Sequence, residues 1–86
     1  MSKEEYKCRC CGLKYTEPTW YDKNDASFDI CICCGVEFGV QDTHIKSVRE
    51  YRLDWLQSGA EWFVRESMPK EWEVFDQLKN IESKWF

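Results

Sequence analysis

No apolar run in this chain approaches the roughly 18 residues that a bilayer span requires, and the first residues, Met-Ser-Lys-Glu-Glu, are charged from the start. The pattern argues against a membrane span and against a secretory leader, so the expectation is a cytoplasmic protein without a membrane partner. A basic stretch is also missing. Lys and Arg number 12 against 16 Asp and Glu, for a formal net charge of −4. Both halves are acidic, with five basic and six acidic residues in 1–34 and seven and ten in 35–86. Affinity for a phosphate backbone comes mainly from clustered Lys and Arg that displace counterions. A nucleic-acid-binding zinc ribbon is therefore the least favoured function class, and no nucleic-acid partner is expected. Histidine occurs once, at His44. There is no Gly-rich phosphate loop and no nucleophile elbow, and a Cys-His dyad has nothing to draw on beyond Cys33 or Cys34 with His44. An enzyme is not expected. Aliphatic residues are few while aromatics make up 16%, five of them Trp, so the core is expected to be built from rings.

Cysteine is what the chain has in quantity. The stretches Cys8-Arg9-Cys10-Cys11-Gly12 and Cys31-Ile32-Cys33-Cys34-Gly35 share one design, and together they give Cys8-x2-Cys11-x19-Cys31-x2-Cys34. That spacing reads as a four-thiolate zinc site. Two residues between thiols let one short turn aim both sulfurs at a single ion, and two such turns fill the four tetrahedral positions Zn2+ prefers. Such a site is closed, with no position left for water or substrate, so one Zn2+ per chain held by Cys8, Cys11, Cys31 and Cys34 would be structural. Gly12 and Gly35, just past the second thiol of each turn, suit a backbone that must reverse with positive φ and so aim N–H groups at sulfur. Two disulfides, or free thiols in a core, are the alternatives; the paired spacing favours metal. A chain of 86 residues buries a limited core, and a metal staple would be needed for it to fold.

Along the chain, residues 1–5 are polar and expected to fray. Tyr6-Lys7-Cys8 enters the first knuckle and Leu13-Lys14-Tyr15-Thr16 leaves it, while Phe28-Asp29-Ile30-Cys31 and Val36-Glu37-Phe38-Gly39-Val40 flank the second; both alternate like short hairpins. Between them, residues 19–27 read as a polar connection with its tip at Asp22-Lys23-Asn24-Asp25. Within it, Trp20-Tyr21 reads as a lid over the metal cluster, or else as an exposed anchor for a partner. After Gln41 the period becomes helical. Asp42 or Thr43 can cap a helix over 43–57, with Ile45, Val48, Tyr51 or Arg52, Trp55 and Leu56 on one stripe that Trp62 and Phe63 continue. Ser67 and Pro69 then open a second amphipathic helix, with Trp72, Phe75, Leu78 or Lys79, Ile81 or Glu82 and Trp85 stepping down one face to the C-terminus. The fold expected is α+β: a small zinc ribbon of two short hairpins around one four-cysteine site (1–41), followed by two amphipathic helices (42–86), in one zinc-stabilised domain.

The two cysteine motifs, the second continuing as Val36-Glu37-Phe38-Gly39, resemble those of small bacterial CPCC-type cysteine-rich proteins. Tyr51-Arg52-x-x-Trp55-Leu56-x-x-Gly59-Ala60-x-Trp62-Phe63, Pro69-x-x-Trp72 and Gln77-Leu78-x-Asn80-Ile81 extend the resemblance over most of the chain. It implies zinc knuckles and an association with toxin–immunity gene neighbourhoods, and it carries no established activity. One departure stands out: Arg9 and Ile32 take the place of the usual Pro after the first Cys of each motif.

Cys10 and Cys33 occupy equivalent places in the two knuckles. As small residues packed beside the site they would be inert. The sharper readings are ligand exchange with Cys11 or Cys34, a reversible Cys10–Cys33 disulfide that releases zinc, or a second metal using His44. Glu50-Asp54 and Glu61-Arg65 sit at helical spacing and read as a solvated face. The favoured function is a protein–protein interaction module, monomeric or weakly dimeric, of which an immunity or antitoxin-like protein with acidic side chains facing a basic partner is a specialised form. A thiol-redox or zinc-release switch using Cys10 and Cys33 is the rival.

Overall fold

The computed structural model describes residues 4–86, so the first three residues of the expected fray lie outside it. It is a small α+β structure with a two-stranded antiparallel hairpin, β1 (Trp20–Asp22) and β2 (Asp25–Ala26), and two helices, α1 (Ile45–Gln57) and α2 (Val74–Leu78). Single 3-10 turns lie at Arg65–Ser67 and Ser83–Trp85. The core is centred on sulfur: all six cysteines cluster with Val36, Phe38, Val48, Trp55, Trp62, Leu78 and Ile81. Rings pack around them, with Trp72 set edge-on to Trp62 at 5.5 Å and Tyr15 edge-on to Phe38 at 5.8 Å.

The sheet lies where a polar connection was expected, and the knuckles are not ladders. Each knuckle has one antiparallel bridge, Lys7 with Lys14 and Ile30 with Glu37. The first knuckle does not extend into a longer hairpin because Glu5 pairs with Trp20 instead: Glu5 N–H donates to Trp20 O, and Thr19 N–H to Glu5 O, both at 2.8 Å. Glu5 is thereby buried rather than frayed. The Trp20-Tyr21 pair is split by strand alternation, leaving Trp20 buried and Tyr21 exposed.

Helix α1 buries Val48, Arg52 and Trp55, close to the expected stripe. Neither Asp42 nor Thr43 caps it. The N-cap is instead His44, which is extended and makes no side-chain cap bond, because Asp42 is turned inward: its carboxylate accepts from Trp20 Nε1–H at 3.0 Å and from Gly39 N–H at 2.7 Å. The expected second helix is broken. Only Val74–Leu78 is α-helical, and the chain leaves it through i→i+3 bonds from Asn80 N–H to Gln77 O and Ile81 N–H to Leu78 O. A straight helix would carry residue 85 about 12 Å beyond residue 77 at 1.5 Å per residue. The bend brings Trp85 back over Arg9 instead, with the guanidinium 3.9 Å from the ring centroid. Packing outranks propensity in so short a helix. Phe63 and Phe75, expected on buried stripes, are 62% and 70% exposed.

Candidate metal centre

The two knuckles are built alike. Cys8 N–H donates to Leu13 O at 2.9 Å and Gly12 N–H to Cys8 O at 2.9 Å; in the second, Cys31 N–H donates to Val36 O at 2.8 Å and Gly35 N–H to Cys31 O at 2.9 Å. Both glycines are left-handed, Gly12 at φ +84° and Gly35 at +83°. A side chain there is strained, and a Cβ on Gly12 would also collide with the Gln77 carbonyl oxygen. One expected backbone donor to sulfur is present, Cys11 N–H to Cys8 Sγ at 3.5 Å, whereas the Gly12 and Gly35 N–H groups close the turns.

These turns bring Cys8, Cys11, Cys31 and Cys34 together, with all four ligand atoms within 4.8 Å of one another and all four side chains buried. The group could hold a metal ion. A tetrahedron of thiolates with metal–sulfur bonds of about 2.3 Å has edges of about 3.8 Å. The Cys8–Cys34 edge is 3.6 Å and the Cys11–Cys31 edge 3.7 Å, far longer than the S–S bond of about 2.05 Å in a disulfide. Two of the six edges thus already have the length of a tetrahedral thiolate site, and all six lie within 4.8 Å, so the donor set suits a tetrahedral thiophilic ion. Crowding among the thiols also favours a cation at their centre. Burial pushes Cys8 up, but hydrogen bonds from Cys10, Cys11, Cys31 and Cys34 more than offset it and hold Cys8 well below its ordinary value. Burial pushes Cys11 and Cys34 well above theirs.

What holds the knuckles comes from the other half of the chain. In the first turn, the Arg9 and Cys10 carbonyls accept from Arg52 at 3.0 and 2.7 Å, and the Cys11 carbonyl accepts from Gln77 Nε2–H at 3.1 Å. In the second, the Ile32 and Cys33 carbonyls accept from Val64 and Phe63 N–H at 2.8 and 2.9 Å, and Cys34 O accepts from the Tyr51 hydroxyl at 3.0 Å. Three successive carbonyls in each turn thus find donors after residue 50, meeting the requirement that buried backbone groups be paired. Arg52 also donates to the Trp85 and Phe86 carbonyls at 2.7 and 2.8 Å. Burial lowers its pKa from the ordinary guanidinium value. Burial, then charge on Cys34, pushes the Tyr51 hydroxyl up to about 12, so it stays protonated and can donate.

Arg9, at the place of a departure from the CPCC pattern, is a buried cation. Its guanidinium makes two bonds to the Glu5 carboxylate at 2.9 and 2.6 Å, donates to Asp42 O at 2.8 Å, and lies between Trp20 and Trp85 at 3.8 and 3.9 Å from their centroids. Trp20 is thus a lid over Arg9. Burial pushes the nearby Asp42 carboxyl above its ordinary value, against the pull of the Trp20 and Gly39 N–H groups and the Arg9 charge. Sequence reasoning missed Arg9, Arg52, Asp42 and Gln77 as supports of the site. The one local signal was an arginine inside a knuckle of a Trp-rich chain.

Cys10 and Cys33 are fully buried, and Gln77 Nε2–H reaches Cys33 Sγ at 3.3 Å. Neither belongs to the four-sulfur group, and His44 lies exposed at the start of α1. Among the described residues, no helix is long and apolar enough to cross a membrane.

Fold and site define a small cysteine-rich α+β protein organised around a buried four-sulfur group able to hold a metal. The chain is 32% identical to the uncharacterised protein YoaQ of Bacillus subtilis (strain 168) over 95 aligned positions, which cover 92% of this chain and 80% of that one. It is 30% identical to the uncharacterised protein YozI of the same organism over 91 positions, covering 86% and 75%. The chain belongs to the family of these Bacillus proteins. No family model and no solved structure matches it.

Proposed function

We propose that the chain holds one structural Zn2+ through Cys8, Cys11, Cys31 and Cys34 and acts by binding a protein partner rather than by turnover. The observation that carries the metal is the buried sulfur tetrahedron with edges of 3.6 and 3.7 Å. When bound, the ion supplies charge neutralisation and cross-linking, with every position taken by sulfur. The repeated Cys-x-Cys-Cys-Gly motif supports the finer kinship with CPCC-type proteins. Exposed rings support the partner: Phe28, Phe63 and Phe75 are each at least 60% accessible, and aromatic anchors are enriched at interface hot spots. Glu50, Asp54, Glu61 and Glu66 are exposed on the helical half and would steer a basic partner, as an immunity-like role requires.

Native mass spectrometry of the protein purified from cells tests the metal. One Zn2+ per chain is expected, with unfolding on strong chelation; two zinc ions, or no metal and three disulfides, would sink the reading. For the partner, a captured protein should associate more slowly with an Asp54→Lys, Glu50→Lys variant. An unchanged on-rate would leave those acids only a solubility role.

A further inference from the structure

A hollow of about 480 Å3 opens beside the second knuckle, lined by Cys34, Tyr51, Asp54, Trp55, Ser58 and Glu61, in the size range of small-ligand sites, roughly 300–1,000 Å3. Its charge is of one sign. Asp54 and Glu61 are acidic and no lining residue is basic. The wall formed by Asp54, Trp55 and Ser58 is the last turn of α1 and its C-cap, where the helix dipole is negative and where α1 has no basic residue. Asp54 has no ion-pair partner among the described residues, and its main-chain oxygen accepts from Ser58. Glu61 is paired with Arg65 at 2.8 Å, but both side chains are largely exposed, and such a pair is weak and easily exchanged. The half-buried Tyr51 ring completes the accessible lining, Trp55 being 7% exposed with its indole N–H donating to Glu61 O at 2.9 Å and so holding residue 61 in place.

Carboxylates beside aromatic rings, at a negative helix end, suit a planar cation that can form forked hydrogen bonds and stack. The same molecule uses this chemistry internally, holding Arg9 by the Glu5 carboxylate between two Trp rings. The geometry points to this hollow as the recognition site for an arginine side chain of a protein partner. The inference rests on the partner-binding reading above and locates its contact: charge complementarity selects the occupant, and the Tyr51 ring selects guanidinium over a compact ammonium.

The test needs no identified partner. The zinc-loaded full chain, labelled with 15N, is titrated with acetyl-Gly-Arg-Gly-amide and with its citrulline counterpart, which keeps the shape and loses the charge. The arginine peptide should shift the Trp55 indole and the Ser58 and Glu61 amides saturably, and the citrulline peptide should not. Asp54→Asn with Glu61→Gln should weaken binding about tenfold or more, while Glu17→Gln, an exposed acid away from the hollow and from the helical half, leaves it within about twofold. No saturable shift, an equal response to citrulline, an unchanged affinity in the double variant, or shifts centred on the Trp20 or Trp85 indoles would overturn the assignment. The two levels fail separately. A captured partner whose affinity survives the double variant removes this hollow and leaves the partner reading standing, whereas arginine binding here in a chain that captures no partner supports the hollow and counts against the broader reading.

Discussion

Replacing Arg9 by Ala should be among the most damaging single changes outside the four clustered cysteines. The side chain is 4% exposed and that of Glu5 is 10% exposed, so removing the cation leaves a carboxylate out of water without its two donors. Stranding one member of a buried pair costs about 3–5 kcal/mol, against a total of about 5–15 kcal/mol for an ordinary domain. Two variants separate the contributions. Arg9→Lys keeps a charge but gives up planar stacking on Trp20 and Trp85, which at about 0.5–1 kcal/mol per contact removes about 1–2 kcal/mol. Arg9→Met with Glu5→Gln leaves no charge stranded and should cost less than Arg9→Ala alone. The assay is urea unfolding at one fixed free zinc concentration, since bound metal adds to apparent stability by mass action, with midpoints compared at unchanged slope. A loss below about 1 kcal/mol for Arg9→Ala, the range of ordinary surface changes, would refute the account of Arg9 as a buried clamp. So would a double variant that is worse than the single.

Three further outcomes are expected. The Cys10→Ser, Cys33→Ser double variant should still carry one metal per chain by native mass spectrometry; metal loss on mild peroxide that requires Cys10 or Cys33 would favour the switch. Gly12→Ala and Gly35→Ala should each lose about 1–2 kcal/mol to left-handed strain, and Gly12→Ala distinctly more because its Cβ meets the Gln77 carbonyl; equal midpoints would contradict that packing. Trp55→Ala should cost about 3–5 kcal/mol and Phe75→Ala, at a ring 70% exposed, under about 1 kcal/mol, and the reverse order in denaturant would mean the two rings have exchanged roles.

The parts of this molecule legible in its sequence are those fixed by neighbours a few residues away. A Cys-x-x-Cys-Gly knuckle specifies its own turn, because the two-residue spacing aims both sulfurs and the glycine supplies the left-handed bend; the structure accordingly brings the four expected sulfurs together. Helix α1 begins and ends within two residues of its expected span, as a 13-residue amphipathic segment can. The C-terminal period holds in part, since Leu78 and Ile81 are buried and Trp85 stacks on Arg9 while Phe75 is exposed. It did not make a helix, because its residues answer to contacts with the knuckles instead of to one straight face. Asp42 looked like a cap, a local role, and was taken by Trp20, 22 residues away. Polar side chains whose acceptors lie 33 to 66 residues distant, Arg9, Arg52 and Gln77, leave no periodic trace.

Those long-range donors also determine how the four-sulfur group and the helical half depend on each other. A sulfur tetrahedron fixes four points, but the turns between them present carbonyls that water would otherwise solvate, and burying them unpaired would cost about 1–3 kcal/mol each. The second half of the chain supplies the donors: Arg52 and Gln77 for the first turn, Phe63, Val64 and Tyr51 for the second. The dependence runs both ways. If the knuckles open, Arg52 loses two of its four carbonyl acceptors while still buried, and the Trp85–Phe86 segment it also holds loses its anchor to the first knuckle. Helix α2, five residues long and so unable to persist on propensity alone, loses the Gln77 bonds that seat it. An ion at the four sulfurs would therefore stabilise residues 45–86 through backbone carbonyls it never touches.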